Sequence, residues 1–316
     1  MALIKYLPID PGIKFLRFRT AFFAISTALI LASVALFATL GLNFGVDFRG
    51  GTLIEVKIQD TTNISQLRDR LSGLGLGEIT LQEFGNPQDI LINVERQSGG
   101  TDAEEFNAIE PVKEALGDLV VEYRRTETVG PTVGEELKQA GLLATLLALL
   151  GIAVYIWFRF EWQFSLAALV ALAHDIIATI GFFAITQIEF NLSTLAAVLT
   201  IAGYSINDTV VIFDRVRETL RRYKKLPLGD VLDQAINRTL SRTILTSVTT
   251  LLALFALLVF GGENIRGLTL GLIWGVAIGT YSSVGLAVPL LSLMKLRRST
   301  LDDEEKPTAD AASETG

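Results

Sequence analysis

Long apolar runs alternate with short polar breaks along this chain, and twice a break widens into a region of its own. The first run, residues 21–42, is apolar over about 22 residues. At about 1.5 Å per residue that crosses a hydrocarbon core of about 30 Å. Five more runs follow, at residues 137–158 (apolar from Ala140 on), 164–186, 191–213, 244–260 and 267–293. The pattern predicts six transmembrane helices. A cleaved signal peptide has a shorter apolar core, so residues 21–42 read as an uncleaved first span. Trp157 and Trp162 flank the tight turn at Arg159 and Glu161 as interfacial anchors.

The first widening covers residues 43–136. It opens on a glycine-rich stretch, GLNFGVDFRGG at 41–51, in which Asp47 and Arg49 flank Phe48. Glycine lets the chain turn sharply on leaving the membrane. By composition alone, a loop with solvated charges explains this stretch as well as anything more specific. Thr52–Ile58 then alternates as a strand does. Asn63–Leu74 predicts a helix, with Asn63 and Gln66 at capping-box spacing. Glu78–Phe84 and Asp89–Glu95 predict two strands joined by a turn at 85–87. Thr101–Leu116 predicts a second helix, with Thr101 and Glu104 as its box and Gly117 as its stop. Leu119–Thr128 predicts the last strand. The order is βαββαβ, a small ferredoxin-like α+β domain between the first two spans. Its acidic residues are scattered as on solvated faces and form no catalytic set, so the domain reads as a binding or mechanical one.

Charge decides the sidedness. The chain has 316 residues, half of them apolar, and a net charge of −7 that is unevenly spread. Residues 43–136 carry 8 basic and 18 acidic groups. The second widening, residues 214–243, is a basic connection carrying Arg215, Arg217, Arg221, Arg222, Lys224, Lys225, Arg238 and Arg242. By the positive-inside rule it is a cytoplasmic loop. Residues 1–20, with Lys5, Lys14, Arg17 and Arg19, are then a cytoplasmic N-terminus. The tail, residues 294–316, is cytoplasmic, acidic and expected to be disordered. The 43–136 domain lies outside. Membrane topology accounts for the basic block without nucleic acid, and contact with anionic lipid is secondary. There is no cysteine and one histidine, which excludes disulfides, thiolate chemistry and multi-histidine metal sites. No cofactor or metal set can be assembled, and no nucleophile–base pair, so the chain reads as no enzyme.

What remains is polarity inside the spans. Asp208 sits in the apolar part of the fourth run, where a carboxylate costs about 2.5–3.5 kcal/mol on insertion scales. Thr200, Tyr204, Asn207, Asp208 and Val211 recur at helical spacing, as do Arg242, Thr246 and Thr249 at the mouth of the fifth run. Two polar stripes on neighbouring helices are expected to face each other. An arginine that approaches and withdraws would change how tightly the carboxylate holds a proton. A static Asp208–Arg242 salt bridge that sets helix register is the plainer alternative, and an Arg242 that merely reaches the inner boundary is another. His174 and Asp175 interrupt the third run. They read either as a second proton-handling site or, preferably, as a polar pair hydrogen-bonded to a neighbouring helix. Gly267, Gly271, Gly275 and Gly279 recur every four residues in the sixth run and allow close helix approach.

Four segments together carry a family resemblance: GVDFRGG at 45–51, AHD at 173–175, GYSINDTVVIFDRVRE at 203–218 and SRTILTSVTT at 241–250. In order and spacing they resemble the SecF branch of the SecD/SecF family, within the RND superfamily of membrane proteins. Gly45, Asp47, Phe48, Gly50 and Gly51 match its motif at the exit of the first span. The resemblance implies a complex with SecD that associates with the SecYEG channel, with YajC as a further partner. It implies use of the proton-motive force to promote the late stage of translocation of unfolded preproteins, after SecA has acted. It also implies a proton relay through Asp208 and Arg242, with Asn207 beside them, completed by an aspartate of SecD that this chain lacks. The site it implies is a bacterial plasma (inner) membrane, or a thylakoid membrane in a cyanobacterium. Two other classes compete: a small-molecule exporter of the same superfamily, and a structural subunit in which the Asp–Arg pair is glue.

Overall fold

The computed structural model describes residues 11–59, 63–74, 76, 79–84, 86–94, 109–262, 265–294 and 296. Residues 1–10, the turn at Gly85, the Thr101–Glu104 box and the tail beyond 296 lie outside them. Six of the described helices are long and apolar enough to cross a membrane. Span 1 is Arg19–Leu40, span 2 Pro131–Arg159, span 3 Trp162–Thr186, span 4 Leu192–Arg222 and span 5 Leu228–Phe260. Span 6 runs from Arg266 to Leu293 and is π-helical at Ser283–Ala287. Pro289 gives the reason for that irregularity. It has no N–H and its ring crowds the carbonyl four residues back, at Gly285, so a wider turn relieves the clash.

The spans fall into two groups. Spans 3, 4 and 6 bury 56%, 50% and 56% of their apolar windows within the protein, against 11%, 11% and 17% for spans 1, 2 and 5. The first three form the centre and the others present mainly lipid-facing side chains such as Leu31, Leu147 and Leu252. Glycine brings the central helices together. A Cβ on Gly275 would stand 2.2 Å from Ile201, one on Gly271 2.7 Å from Phe183 and one on Gly279 3.1 Å from Ser205. Gly267 meets Ile188 and Thr194 in the same way. The stripe on span 6 therefore faces span 4, span 3 and the link between them.

The connection expected as a loop over residues 214–243 is almost wholly helical. Span 4 continues to Arg222 and span 5 begins at Leu228. Hydropathy marks where a helix leaves the bilayer, whereas backbone hydrogen bonding continues until a breaker intervenes, here Pro227 at the start of span 5. The extension is packed: Val216, Leu220, Val231 and Leu232 belong to the main core. Residues 11–18 lie along it. Ile13 N–H and Leu16 N–H donate to Asn237 Oδ1 and Asp233 Oδ1, both at 2.9 Å.

Between spans 1 and 2 stands a four-stranded antiparallel sheet of β1 (Gly51–Ile58), β2 (Ile79–Phe84), β3 (Asn86–Val94) and β4 (Val120–Val129). The order is β2-β3-β1-β4. Strand β3 starts three residues earlier than expected. Helix Ile64–Ser72 is capped by Asn63 and Gln66 in a reciprocal box. It and helix Ile109–Leu116 bury Leu67, Leu71, Val112 and Leu116 against Ile54, Val56, Ile90 and Ile92 on one sheet face. The other face is buried too, around Val46, Leu53 and Leu91. On that face the expectation of solvated acids fails. Glu55 and Asp89 are 3% and 1% exposed, with Arg124 3.0 Å from Asp89 and 3.9 Å from Glu55. A buried carboxylate needs such a partner.

Candidate functional site

The polar groups of the central helices gather at one level. Asp175 of span 3 accepts from Ser205 of span 4 at 2.5 Å and from Ser282 of span 6 at 2.7 Å. Its other oxygen lies 2.9 Å from His174 Nδ1. Asp175 and His174 are fully buried. Ser283, the first residue of the π segment, bonds Thr209 of span 4 at 2.9 Å. This network ties three helices together. One atom stands outside it: His174 Nε2 is buried with no hydrogen-bond partner.

Asp208 is 3% exposed, and its Oδ2 has no hydrogen-bond partner. Tyr204 Oη and Thr243 Oγ1 are buried and unpartnered as well. The expected face splits. Successive residues on a helix are about 100° apart, so Asp208 turns inward while Asn207 and Thr200 lie on the outer surface. Arg242 is exposed, and among the described residues no ion pair joins it to Asp208. The structure therefore brings spans 4 and 5 together without closing the pair that spacing suggested. Exposed Asn207 belongs to a line of small residues, Ser193, Ala196, Thr200 and Gly203, that runs down span 4 at alternating steps of three and four. That spacing is the seam of a helix that packs on another helix. A Cβ on Gly203 would meet nothing within 4 Å.

The glycine-rich stretch is no solvated loop. Val46–Arg49 forms one helical turn, and Gly50 and Gly51 follow with φ of 74° and 111°, which side chains rarely adopt. Asp47 Oδ2 accepts from Leu192 N–H at 2.9 Å, so it caps span 4 from outside that helix. Phe44 and Phe48 pack with Phe190, and Phe183 joins them from span 3. Gly45 N–H donates to Phe190 at 3.0 Å and Phe190 N–H to Asn43 at 2.7 Å. The motif thus fastens the sheet domain to the link between spans 3 and 4. Sequence reasoning missed Glu189 in that link; its only local signal is an acid between Ile188 and Phe190 at a membrane boundary.

Six apolar helices with a buried polar centre, and one sheet domain fastened to the link between spans 3 and 4, define a multi-pass membrane protein. Residues 109–297 match the family described as protein export membrane protein SecD/SecF, C-terminal, and residues 35–62 match the SecD/SecF GG motif. The chain belongs to the SecD/SecF family. It is 44% identical to the protein translocase subunit SecF of Rickettsia akari over 93% of this chain and 96% of that one. It is 47% identical to that of Cereibacter sphaeroides over 90% of both chains. The crystal structure of SecDF from Thermus thermophilus superposes with a TM-score of 0.81 at 33% identity, over 90% of this chain and 39% of that one. A SecDF of Brucella abortus matches 98% of this chain, which spans 41% of it. The fused relatives tie this unit to SecD. The chain is accordingly an accessory membrane component of protein export and not an enzyme.

Proposed function

We propose that this chain, paired with SecD, uses the proton-motive force to promote late-stage translocation after SecA action, with SecYEG and YajC as neighbours. Asp208 carries the reading. It is a buried carboxylate in a central span with one oxygen unpartnered, and such a group marks an ion pathway by default. Arg242, on the adjoining span, and Asn207, on the outward seam of span 4, are the groups that a SecD helix would meet. The small-residue seam and the fused relatives support that contact. The sheet domain stands on the outer side, the helical basic block and both ends face the cytoplasm, and the membrane is the bacterial inner membrane. The strand order and the two helices on one face support a ferredoxin-like outer domain. For His174 and Asp175 the hydrogen bonds that Asp175 receives from Ser205 and Ser282 support a structural role.

One charge crossing about 100 mV releases about 2.3 kcal/mol, a tens-fold bias on a conformational equilibrium. That is enough to move a domain engaged with an emerging chain. The test is reconstitution with SecD in vesicles that hold a stalled translocation intermediate. After a proton gradient is imposed, the native protein should complete translocation. Asp208→Asn should not, at matched levels of complex. Equal completion by both would falsify the relay.

A further inference from the structure

The sheet domain meets the spans around one carboxylate. Glu189 sits in the link between spans 3 and 4, half-buried, and Val46 N–H donates to it. A Cβ on Gly45 would stand 2.2 Å from Glu189 Oε1, so only glycine leaves room for the carboxyl there. Glu189 walls a cavity of about 230 Å³ between domain and spans and a smaller one of about 40 Å³ on its other side. The charged groups around it come from every packed element: Asp47 and Arg49 after span 1, Glu83 of β2, Arg125 and Glu127 of β4, and Arg266 at the start of span 6. Arg125 is already bonded to Glu127 at 2.5 Å. Both connections of the domain pass close together nearby. Gly50 and Gly51 have positive φ, and a Cβ on Gly134 of span 2 would stand 3.1 Å from Gly50 N.

We propose that Glu189 is a proton-binding residue whose occupancy controls how firmly the 51–129 domain seats on the spans. The protonated carboxyl favours the seated domain, and ionisation favours a lifted one with Glu189 in water. Burial pushes the carboxyl above the ordinary glutamate range; Arg125 opposes this, and Asp47 and Glu127 add to it. A site that holds its proton more tightly when covered is, reciprocally, covered more firmly when protonated. The cavity gives water a way to the carboxylate, and the glycines at 50–51 give the domain a pivot. Only the physiological direction of the gradient across this junction rests on the proton-coupled reading above.

The chain has no cysteine, so two introduced thiols can carry spin labels unambiguously. Val121→Cys on β4 and Ile185→Cys near the end of span 3 replace exposed residues. Pulsed EPR distances in the full-length chain in lipid nanodiscs would be followed from about pH 4 to pH 9, bracketing and exceeding an ordinary glutamate value of about 4.3. The seated distance should dominate at low pH and give way as pH rises, with a midpoint above that value. Glu189→Gln should stay seated throughout. Arg125→Gln should move the midpoint upward, because the cation is what opposes the proton; this variant also serves if Glu189→Gln does not fold. A pH-independent native distance, a native-like response in Glu189→Gln, or an unchanged or lowered midpoint in Arg125→Gln overturns the proposal. The readout is a distance without gradient or client, so it fails separately from the export assay.

Discussion

Asp175 and Asp208 are both buried carboxylates in central spans, yet their surroundings differ. Asp175 accepts from two hydroxyls and faces His174, whereas Asp208 leaves an oxygen unpartnered. The first arrangement holds helices and the second leaves chemistry undone. Asp175→Ala removes the acceptor of the buried Ser205 hydroxyl, while Ser282 keeps the Gly279 carbonyl, and should destabilise the fold by about 1–3 kcal/mol. Thermal unfolding in detergent measures this, and Asp175→Asn, which keeps an acceptor, should lose less. If Asp175→Ala unfolds like the native protein but stops export, the network handles protons after all. Asp208→Asn should show the opposite split, near-native stability with export uncoupled from the gradient. Single residues of this kind were visible in sequence as polar interruptions of apolar runs. Their partners were not, because Ser205 and Ser282 are 30 and 107 positions from Asp175.

At the scale of helices, the glycine ladder of span 6 and the small-residue seam of span 4 make different predictions. Gly275 touches Ile201 within the protein. Gly275→Ala should therefore force spans 4 and 6 apart at a cost of about 1–3 kcal/mol. Ile201→Ala in the same chain should recover part of it, and a double-mutant cycle on unfolding temperature measures the coupling. Gly203 faces open space, so Gly203→Leu should leave the chain's own stability unchanged. It should instead lower recovery of SecD in a pull-down from membranes. Loss of stability without loss of SecD would move the seam inside the protein. The glycine stripe was legible in spacing; the seam of span 4 was not, because only the exposure of each residue separates Thr200 and Asn207 from the inward-facing Asp208. Which neighbour each one meets depends on how the helices cross, a property of the assembled bundle.

The whole molecule is a membrane bundle and a sheet domain joined at one place. Asp47→Ala removes the cap on span 4 and should cost about 0.5–2 kcal/mol, read as a lower unfolding temperature. The junction also predicts a pH dependence. Glu189 binds its proton more tightly folded than unfolded. Its contribution to stability is thus fully present below about pH 4.3 and is lost as pH rises through the raised folded value. Glu189→Gln should flatten that loss, so the variant should melt above the native protein at neutral pH and close to it in acid. A variant that melts no higher than the native protein at neutral pH would contradict the burial of this carboxyl.

The sequence by itself determined the six spans, the βαββαβ order and the positions where polar groups enter the membrane. These follow from local physics: a run of about 20 apolar residues must cross a bilayer, and alternation or helical spacing declares which kind of element buries a face. Tertiary structure alone decided that the basic connection is packed helix, that Asp47 caps a span 145 positions away, and that Glu55 and Asp89 are interior acids held by Arg124. It decided too that, among the described residues, no ion pair joins Asp208 to Arg242, and that Glu189 lies at the seat of the sheet domain. Each of these is a meeting of distant segments, set by packing that no local spacing encodes.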